Sequence, residues 1–433
     1  MIAAIAFVFF VLFGLPIGFA IGVAGVIGLI DMGGGFTNIA NNSFLAIGPS
    51  KIFNGLNIFP FLAMPFFILA GEIMNDTGIT TRLVKLAQVL VGRFRGGLAH
   101  ANMLASVFFA GLTGSATADA AAFGRTLVPA MVKEGYKRDY ACAVTAAGSI
   151  IGPTIPPSGL MVVYGSLMGV SIAGLFAAGI LPGLVICAVC MAVIAIGGKR
   201  EGLPVAERGA TLKEVWDTFV SSLTALAMPV IILGGILGGI VTPTEAASIA
   251  VAYAAFIGVF VYRSLTFKGF YNMLVRTARI TGVIFVIIAF AGVLGWYLSF
   301  ERIPQMIASG VMGLSDNRFV IIAIIVGLLM LVGMVMDITA ILIILGPVLV
   351  PLTEQIGLNP IHAGIIFVLA LNISLMTPPV GACLFVLSSV TGEKLERISI
   401  KLFPFLIAEI VVLFAFAFWE DAALLLPRWL GFA

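Results

Sequence analysis

Long uninterrupted apolar runs dominate this chain and leave few folds open to it. They fall at about 2–31, 58–74, 97–132, 138–169, 174–196, 219–242, 244–262, 280–300, 318–352, 361–390 and 402–420. A helix that crosses a bilayer core needs about 20 apolar residues. Runs of this kind along 433 residues describe an all-α polytopic membrane protein with roughly ten to fourteen membrane segments. Composition agrees. Hydrophobic residues make up 61% and charged residues 10%, against about 45–50% and about 25% in soluble domains. A soluble enzyme, a disordered chain and a fibrous repeat are excluded. The net charge of +3 provides no basic surface for nucleic acid.

The four cysteines, Cys142, Cys187, Cys190 and Cys383, all lie in apolar runs. Cys187 and Cys190 form a C-x-x-C inside such a run, which reads as buried thiols rather than a redox or metal pair. The start, MIAAIAFVFFVLFG, has no Lys or Arg before its apolar run. It reads as a first membrane helix and not as a secretory signal.

Basic residues set the orientation. The loops 75–97, 133–139, 197–213, 263–279 and 391–401 carry 18 of the 23, including Arg82, Lys137, Arg208, Arg276 and Lys401. By the positive-inside rule these loops face the cytoplasm. The loops 32–57, 301–317 and 353–360 hold only Lys51 and Arg302 and face outward. The run 97–132 then begins and ends inside, and the run 318–352 begins and ends outside. Two full spans and a turn would barely fit in either. Each has a polar, glycine-bearing break at its middle: Thr113 to Asp119, and Gly333 to Thr339. Both read as re-entrant helical hairpins whose tips stop near the midplane, where irregular backbone survives only if it lines a cavity or is buried in protein.

The hairpins are related. Sliding the chain by 222 residues places 111–166 on 333–388 with 14 identities in 56 positions. Gly111 meets Gly333, Thr117 meets Thr339, Leu127-Val128-Pro129 meets Leu349-Val350-Pro351, and Pro156-Pro157 meets Pro378-Pro379. With the opposite topology given by the charges, these are inverted repeats with interrupted helices in matching places, the pattern of a secondary transporter. The expected organisation is a first repeat over 1–197, with hairpin 97–132 and broken helix 138–169. A cytoplasmic linker follows over 198–218. A second repeat covers 219–433, with hairpin 318–352 and broken helix 361–390. Symmetry splits 2–31 into two helices at Gly14-Leu15-Pro16. The total is about ten spans and two hairpins, with both termini outside.

The broken helices carry the chemistry. Their breaks are Gly148 to Ser158 and Asn372 to Val380, each with two adjacent prolines. Proline removes a backbone donor and frees a carbonyl, and the residue before it avoids the α region. Hairpin tips and breaks together offer hydroxyl and carbonyl oxygens suited to Na⁺, while half-helix N-termini suit an anionic substrate. Ser115 in the first tip lies opposite Asp337 in the second. A carboxylate at that depth is costly, so it should face a polar cavity. Asp119 is placed to cap the helix after the first tip. Arg125, two turns further on, is either paired with Asp119 or Asp337 or aimed at a substrate carboxylate. Thr242-Pro243-Thr244-Glu245 has capping-box spacing. Glu72 reads as interfacial, and His100 and His362 fit no metal pattern. Residues 80–96 and 263–279 read as amphipathic helices lying in the cytoplasmic interface.

Several stretches resemble the large membrane subunit of the tripartite ATP-independent periplasmic (TRAP) transporters: GSATADAAAFGRTLVPAM, GYKRDYACAVTAAGSIIGPTIPPS, VTPTEAA, GMVMD and NISLMTPPVG. The resemblance spans essentially the whole chain and implies an elevator-type, Na⁺-driven importer in a bacterial inner membrane, embedded in membrane lipid. It implies a small four-helix membrane subunit and a soluble periplasmic substrate-binding protein as partners. The family's substrates are organic acids: C4-dicarboxylates, 2-keto acids and sialic acids. Arg125 stands where the family commonly has a small residue and looks more like the sialic-acid branch, which points to N-acetylneuraminate. Carried onto this chain, the substrate residues are Ser115, Arg125, Asp337 and Ser158. At least two Na⁺ ions are implied, one near Ser115, Thr117, Gly148, Gly152 and Pro153, the other near Gly333, Thr339, Asn372, Ser374 and Thr377. An intramembrane enzyme has no support, because there is no His-rich cluster, no G-x-G-D pair and no G-x-S-G motif. A channel or a binding-protein-independent dicarboxylate carrier remains as an alternative.

Overall fold

In the computed structural model, which describes residues 2–205 and 209–433, the chain is helical throughout and has no strand among those residues. Arg208 lies outside the described residues. The helices are α1 (Ile2–Leu12), α2 (Ile17–Met32), α3 (Ile47–Leu56), α4 (Ala63–Asp76), α5 (Ile79–Val91), α6 (Gly97–Thr113), α7 (Ala116–Lys133), α8 (Arg138–Ser149), α9 (Ile151–Thr154), α10 (Gly159–Met168) and α11 (Ile172–Gly197). They continue with α12 (Leu212–Leu237), α13 (Pro243–Phe256), α14 (Phe267–Phe300), α15 (Ile303–Met312), α16 (Arg318–Gly333), α17 (Ile338–Gln355), α18 (Pro360–Ser374), α19 (Ala382–Thr391) and α20 (Leu395–Phe418). Among the described residues six helices are long and apolar enough to cross a membrane. Two bent pairs raise this to eight, Ser43–Leu56 with Phe59–Asp76 at 59° and Arg138–Thr154 with Gly159–Met168 at 41°. Shorter apolar helices such as α16 and α18 complete the set.

The terminators fall where the sequence puts Gly, Pro and polar residues. The N-terminal run does break, into α1 and α2, with Pro16 capping the second. Each hairpin is a pair of helices joined by a short break, with Ser115 preceding α7 and Asp337 preceding α17. Adding 222 to the limits of α7, 116 and 133, gives 338 and 355, the limits of α17. The same shift carries the first residue of α8, Arg138, onto that of α18, Pro360. The peptide bonds Pro156-Pro157 and Pro378-Pro379 are both cis. Thr242 and Glu245 form the expected capping box at α13.

Two expectations are corrected. Asp119 does not cap α7. It lies four residues past the cap, and Ser115 accepts from the Ala118 N–H instead. The serine stands in the extended residue just before the helix, from which a side-chain oxygen reaches those first amides. Residues 263–279 are not a separate surface helix: α14 runs unbroken for 34 residues from Phe267, because nothing between 268 and 299 terminates it. The other amphipathic segment is a helix of its own, α5. Arg82 straps it to α12, donating to the Ser221 carbonyl at 3.2 Å while its guanidinium lies 4.2 Å over the Tyr262 ring.

Packing sorts the helices into two groups. In one, α1 to α5 and α12 to α14 lie together; in the other, α6 to α11 and α15 to α20, with α5 packed on α6 where the two groups join. The second group interlaces the two halves of the sequence. Asn372 donates to Thr154 Oγ1 at 3.2 Å, Lys401 pairs with Glu201 at 2.8 Å, and the tilted rings of Tyr164 and Phe367 pack with centroids 5.7 Å apart. Its interior is nearly all small or apolar side chains, so the buried polar groups there stand out.

A cavity between the hairpin tips

The first tip is shaped by two local demands. Gly114 has φ +57°, a left-handed turn that other residues adopt at a cost. A Cβ at this position would lie 2.9 Å from the Pro157 carbonyl oxygen. The tip therefore rests directly on the proline break that follows it in sequence. The contact is reinforced deeper down, where a Cβ on Gly152 would meet Asp119 Oδ2 at 2.0 Å. The second half repeats the plan: a Cβ on Gly333 would fall 2.0 Å from Ser374 Oγ.

Thr113 donates to Asp119 Oδ1 at 2.5 Å, and Ser115 and Thr117 hydroxyls lie 3.2 Å apart. Asp119 is fully buried and its Oδ2 has no hydrogen-bond partner. In the second break Asn372 Oδ1 is likewise buried and unpartnered, while Ser374 and Thr377 hydroxyls donate to the carbonyls of Leu371 and Ile373. Buried polar atoms of this kind are rare and ask for a partner. Asp119 Oδ2, beside Gly152, and Asn372 Oδ1 are oxygen acceptors of the kind a hard cation takes.

Both tips and both breaks border one cavity of about 230 Å³. Thr113 to Ala118 line it from the first tip, Ile338 and Thr339 from the second, Pro153, Pro157 and Gly159 from the first break, and Leu375 from the second. The opposite wall comes from the other helix group, with Met64, Phe67 and Ile68 on α4 and Ile280 and Ile284 on α14.

Of the residues anticipated from sequence, Ser115, Thr117, Pro153 and Thr339 line the cavity. Asp337 sits at its edge, exposed, accepting the Thr339 and Ala340 N–H groups at 2.9 and 3.1 Å. Gly148, Gly152, Gly333, Asn372, Ser374 and Thr377 are buried behind the tips. Gly148 packs on Ser106 and Asn102 of α6. Ser158 is buried with its hydroxyl unpartnered and outside the lining. Arg125 is not brought to the site. It is exposed on α7, ten residues or about 15 Å of helix beyond Ser115, and pairs with neither Asp119 nor Asp337 among the described residues.

Three residues were undervalued. Glu72 lines the cavity and pairs with Arg276 of α14 at 2.7 Å, and Asn75 lines it one turn on. Glu409 of α20 is fully buried and accepts from the Cys190 thiol at 3.2 Å. Its signal was present, a lone acid in the apolar stretch LIAEIVV, which the cost of charge in a membrane marks as noteworthy.

A multi-pass helical protein with two helix groups enclosing a cavity at broken helices belongs to the class of membrane transporters rather than enzymes. Residues 4–421 match the family described as the tripartite ATP-independent periplasmic transporter, DctM component, and the chain belongs to that family. It is 37% identical to the sialic acid TRAP transporter large permease protein of Vibrio cholerae, covering 96% of this chain and 95% of that protein. It is 39% identical to the 2,3-diketo-L-gulonate TRAP transporter large permease protein of Escherichia coli, over 87% of this chain and 89% of the other. The fold is similar to the crystal structure of the YdaH transporter of Alcanivorax borkumensis, at TM-score 0.60 and 15% identity, covering 100% of this chain and 99% of that one.

Proposed function

We propose that the chain is the membrane-embedded transport subunit of a Na⁺-coupled secondary active importer of an organic acid, working in a bacterial inner membrane. A soluble periplasmic binding protein delivers the acid, and a small four-helix membrane subunit stands beside this chain. The observation that carries the reading is the single cavity bordered by both hairpin tips and both breaks on one side and by α4 and α14 on the other. A transporter of inverted repeats binds its cargo at such a junction, where half-helix ends point inward. The halves 1–197 and 219–433 act as those repeats, and the hairpin-bearing group slides past the other as an elevator.

Ser115, Thr117 and Thr339 hold the substrate, with the first amides of α7 and α17 favouring its carboxylate. Asp337 at the rim takes its hydroxyl or amide groups. One Na⁺ lies against Asp119, Gly152 and Pro153, and a second against Asn372, Ser374 and Thr377. The first ion joins a tip to its break, so its binding favours the closed first hairpin. N-acetylneuraminate is the first substrate to test. Relatives named for sialic acid and for 2,3-diketo-L-gulonate are nearly equally similar, so 2-keto acids and C4-dicarboxylates follow.

The test is uptake of labelled N-acetylneuraminate into proteoliposomes holding this chain and its small subunit, with and without the binding protein and an inward Na⁺ gradient. Uptake that needs both is expected. Uptake that needs neither would turn the reading toward a channel or a self-sufficient carrier. Uptake of only another acid under the same two requirements would reassign the substrate and leave the rest.

A further inference from the structure

A second and larger cavity, of about 620 Å³, lies away from the hairpin tips, where α11 ends and α8 and α20 begin. Its rim is basic. Lys137, Arg200 and Lys401 all line it. Lys401 is satisfied by Glu201, whose two carboxylate oxygens lie 2.8 and 2.9 Å from its Nζ. The side chains of Lys137 and Arg200 are exposed and make no hydrogen bond or ion pair among the described residues. The rim therefore carries two uncompensated cations.

Away from the rim the wall turns apolar. Val193 and Ile196 contribute from α11, and Ile400 and Pro404 from α20. Ile196 is 83% exposed and Ile400 72%, so the protein itself leaves this wall uncovered. Tyr140 and Phe405, buried and 6.2 Å apart between ring centroids, close the floor. Pro404 has no N–H, so the Ile400 carbonyl lacks its helical donor and remains free to accept a hydroxyl. Both α11 and α20 are long and apolar enough to cross a membrane. The cations at their adjoining ends accordingly sit at headgroup depth, and the apolar wall at acyl-chain depth.

We infer that this groove binds an anionic phospholipid of the phosphatidylglycerol type. Its phosphate lies between Lys137 and Arg200, a glycerol hydroxyl donates to the Ile400 carbonyl, and an acyl chain runs down the wall of Val193, Ile196 and Pro404. Charge and shape complementarity select this occupant. A free phosphate would use only the rim. A zwitterionic lipid would bring its own ammonium against the two cations. Basic pockets between membrane helices at the cytoplasmic side recognise headgroups in this way. The inference is independent of the transported substrate, and it places a lipid contact on the helix group that carries both hairpins.

The test is native mass spectrometry of the full chain, purified in detergent, stripped of lipid and titrated separately with phosphatidylglycerol, phosphatidylcholine and inorganic phosphate. Phosphatidylglycerol should bind in preference to phosphatidylcholine. A cation near an anionic lipid surface is worth about fivefold in affinity, so Lys137→Ala with Arg200→Ala should weaken binding about twenty-fivefold. Val193→Trp, which fills the wall and keeps the charges, should also weaken it. Arg279→Ala, an exposed cation elsewhere, should not. Equal binding of the two lipids, or unchanged affinity in the double variant, would overturn the inference. So would displacement of the lipid by inorganic phosphate at equal concentration. A groove covered by the small subunit and free of lipid in the purified complex would overturn it as well.

Discussion

Ser115 and Asp337 occupy the same place in the two hairpins, and both precede a helix whose first amides they satisfy. Their difference in charge is what the sequence flagged, and the cap is what the structure adds. The two roles separate by substitution. Asp337→Asn keeps a good cap and removes the charge, whereas Asp337→Ala loses both and should cost about 1 kcal/mol of stability. Both variants are expected to abolish uptake, with only the alanine form melting at lower temperature. Normal uptake by the asparagine form would leave Asp337 as a cap alone. Gly152 gives a second residue-scale prediction. A methyl group there would lie 2.0 Å from Asp119 Oδ2. Overpacking of that kind costs about 1–3 kcal/mol, so Gly152→Ala should lower Na⁺-stimulated uptake by about tenfold or more. The sequence named Gly152 through its proline break but read Asp119 as a cap, because only the folded tip shows the carboxylate turned toward the break.

At the scale of elements, helix ends were the most legible feature. Thr242-Pro243-Thr244-Glu245 is a capping box in the sequence and in the structure. Thr242→Ala should lower stability by about 1 kcal/mol, read as a lower melting temperature of the purified protein. The proline breaks and the 222-residue repeat were legible for the same reason: proline, glycine and cap residues act on their own neighbours. The long helix α14 was not legible, since its amphipathic start and apolar remainder look like two elements when judged by composition. Glu72 follows an apolar run and reads as an interfacial acid; what the structure adds is that α4 packs beside α14, so that Glu72 lines the cavity and meets Arg276.

On the scale of the whole molecule, the two helix groups meet at the cavity, and the proposed mechanism needs them to move past each other. A cleavable bifunctional thiol reagent joining cysteines placed at Ile68 on α4 and Ala118 in the first tip, both lining the cavity, should stop uptake. Reduction of the bridge should restore it. The four native cysteines are buried, so the reagent meets only the introduced pair. Undiminished uptake with the bridge in place would argue against sliding groups.

The amino-acid order by itself determined that this chain is a helical membrane protein, where its proline and glycine breaks fall, and that 111–166 resembles 333–388. These properties follow from local hydrophobicity and from the backbone limits of proline and glycine, which act within a few residues. Only the tertiary structure decided which breaks face one another, that Asp119 is fully buried against the first break and Glu72 lines the cavity, and that Arg125 stands apart from it. Those facts depend on how helices distant in sequence pack, and side-chain direction on a helix is settled by the neighbour that buries one face.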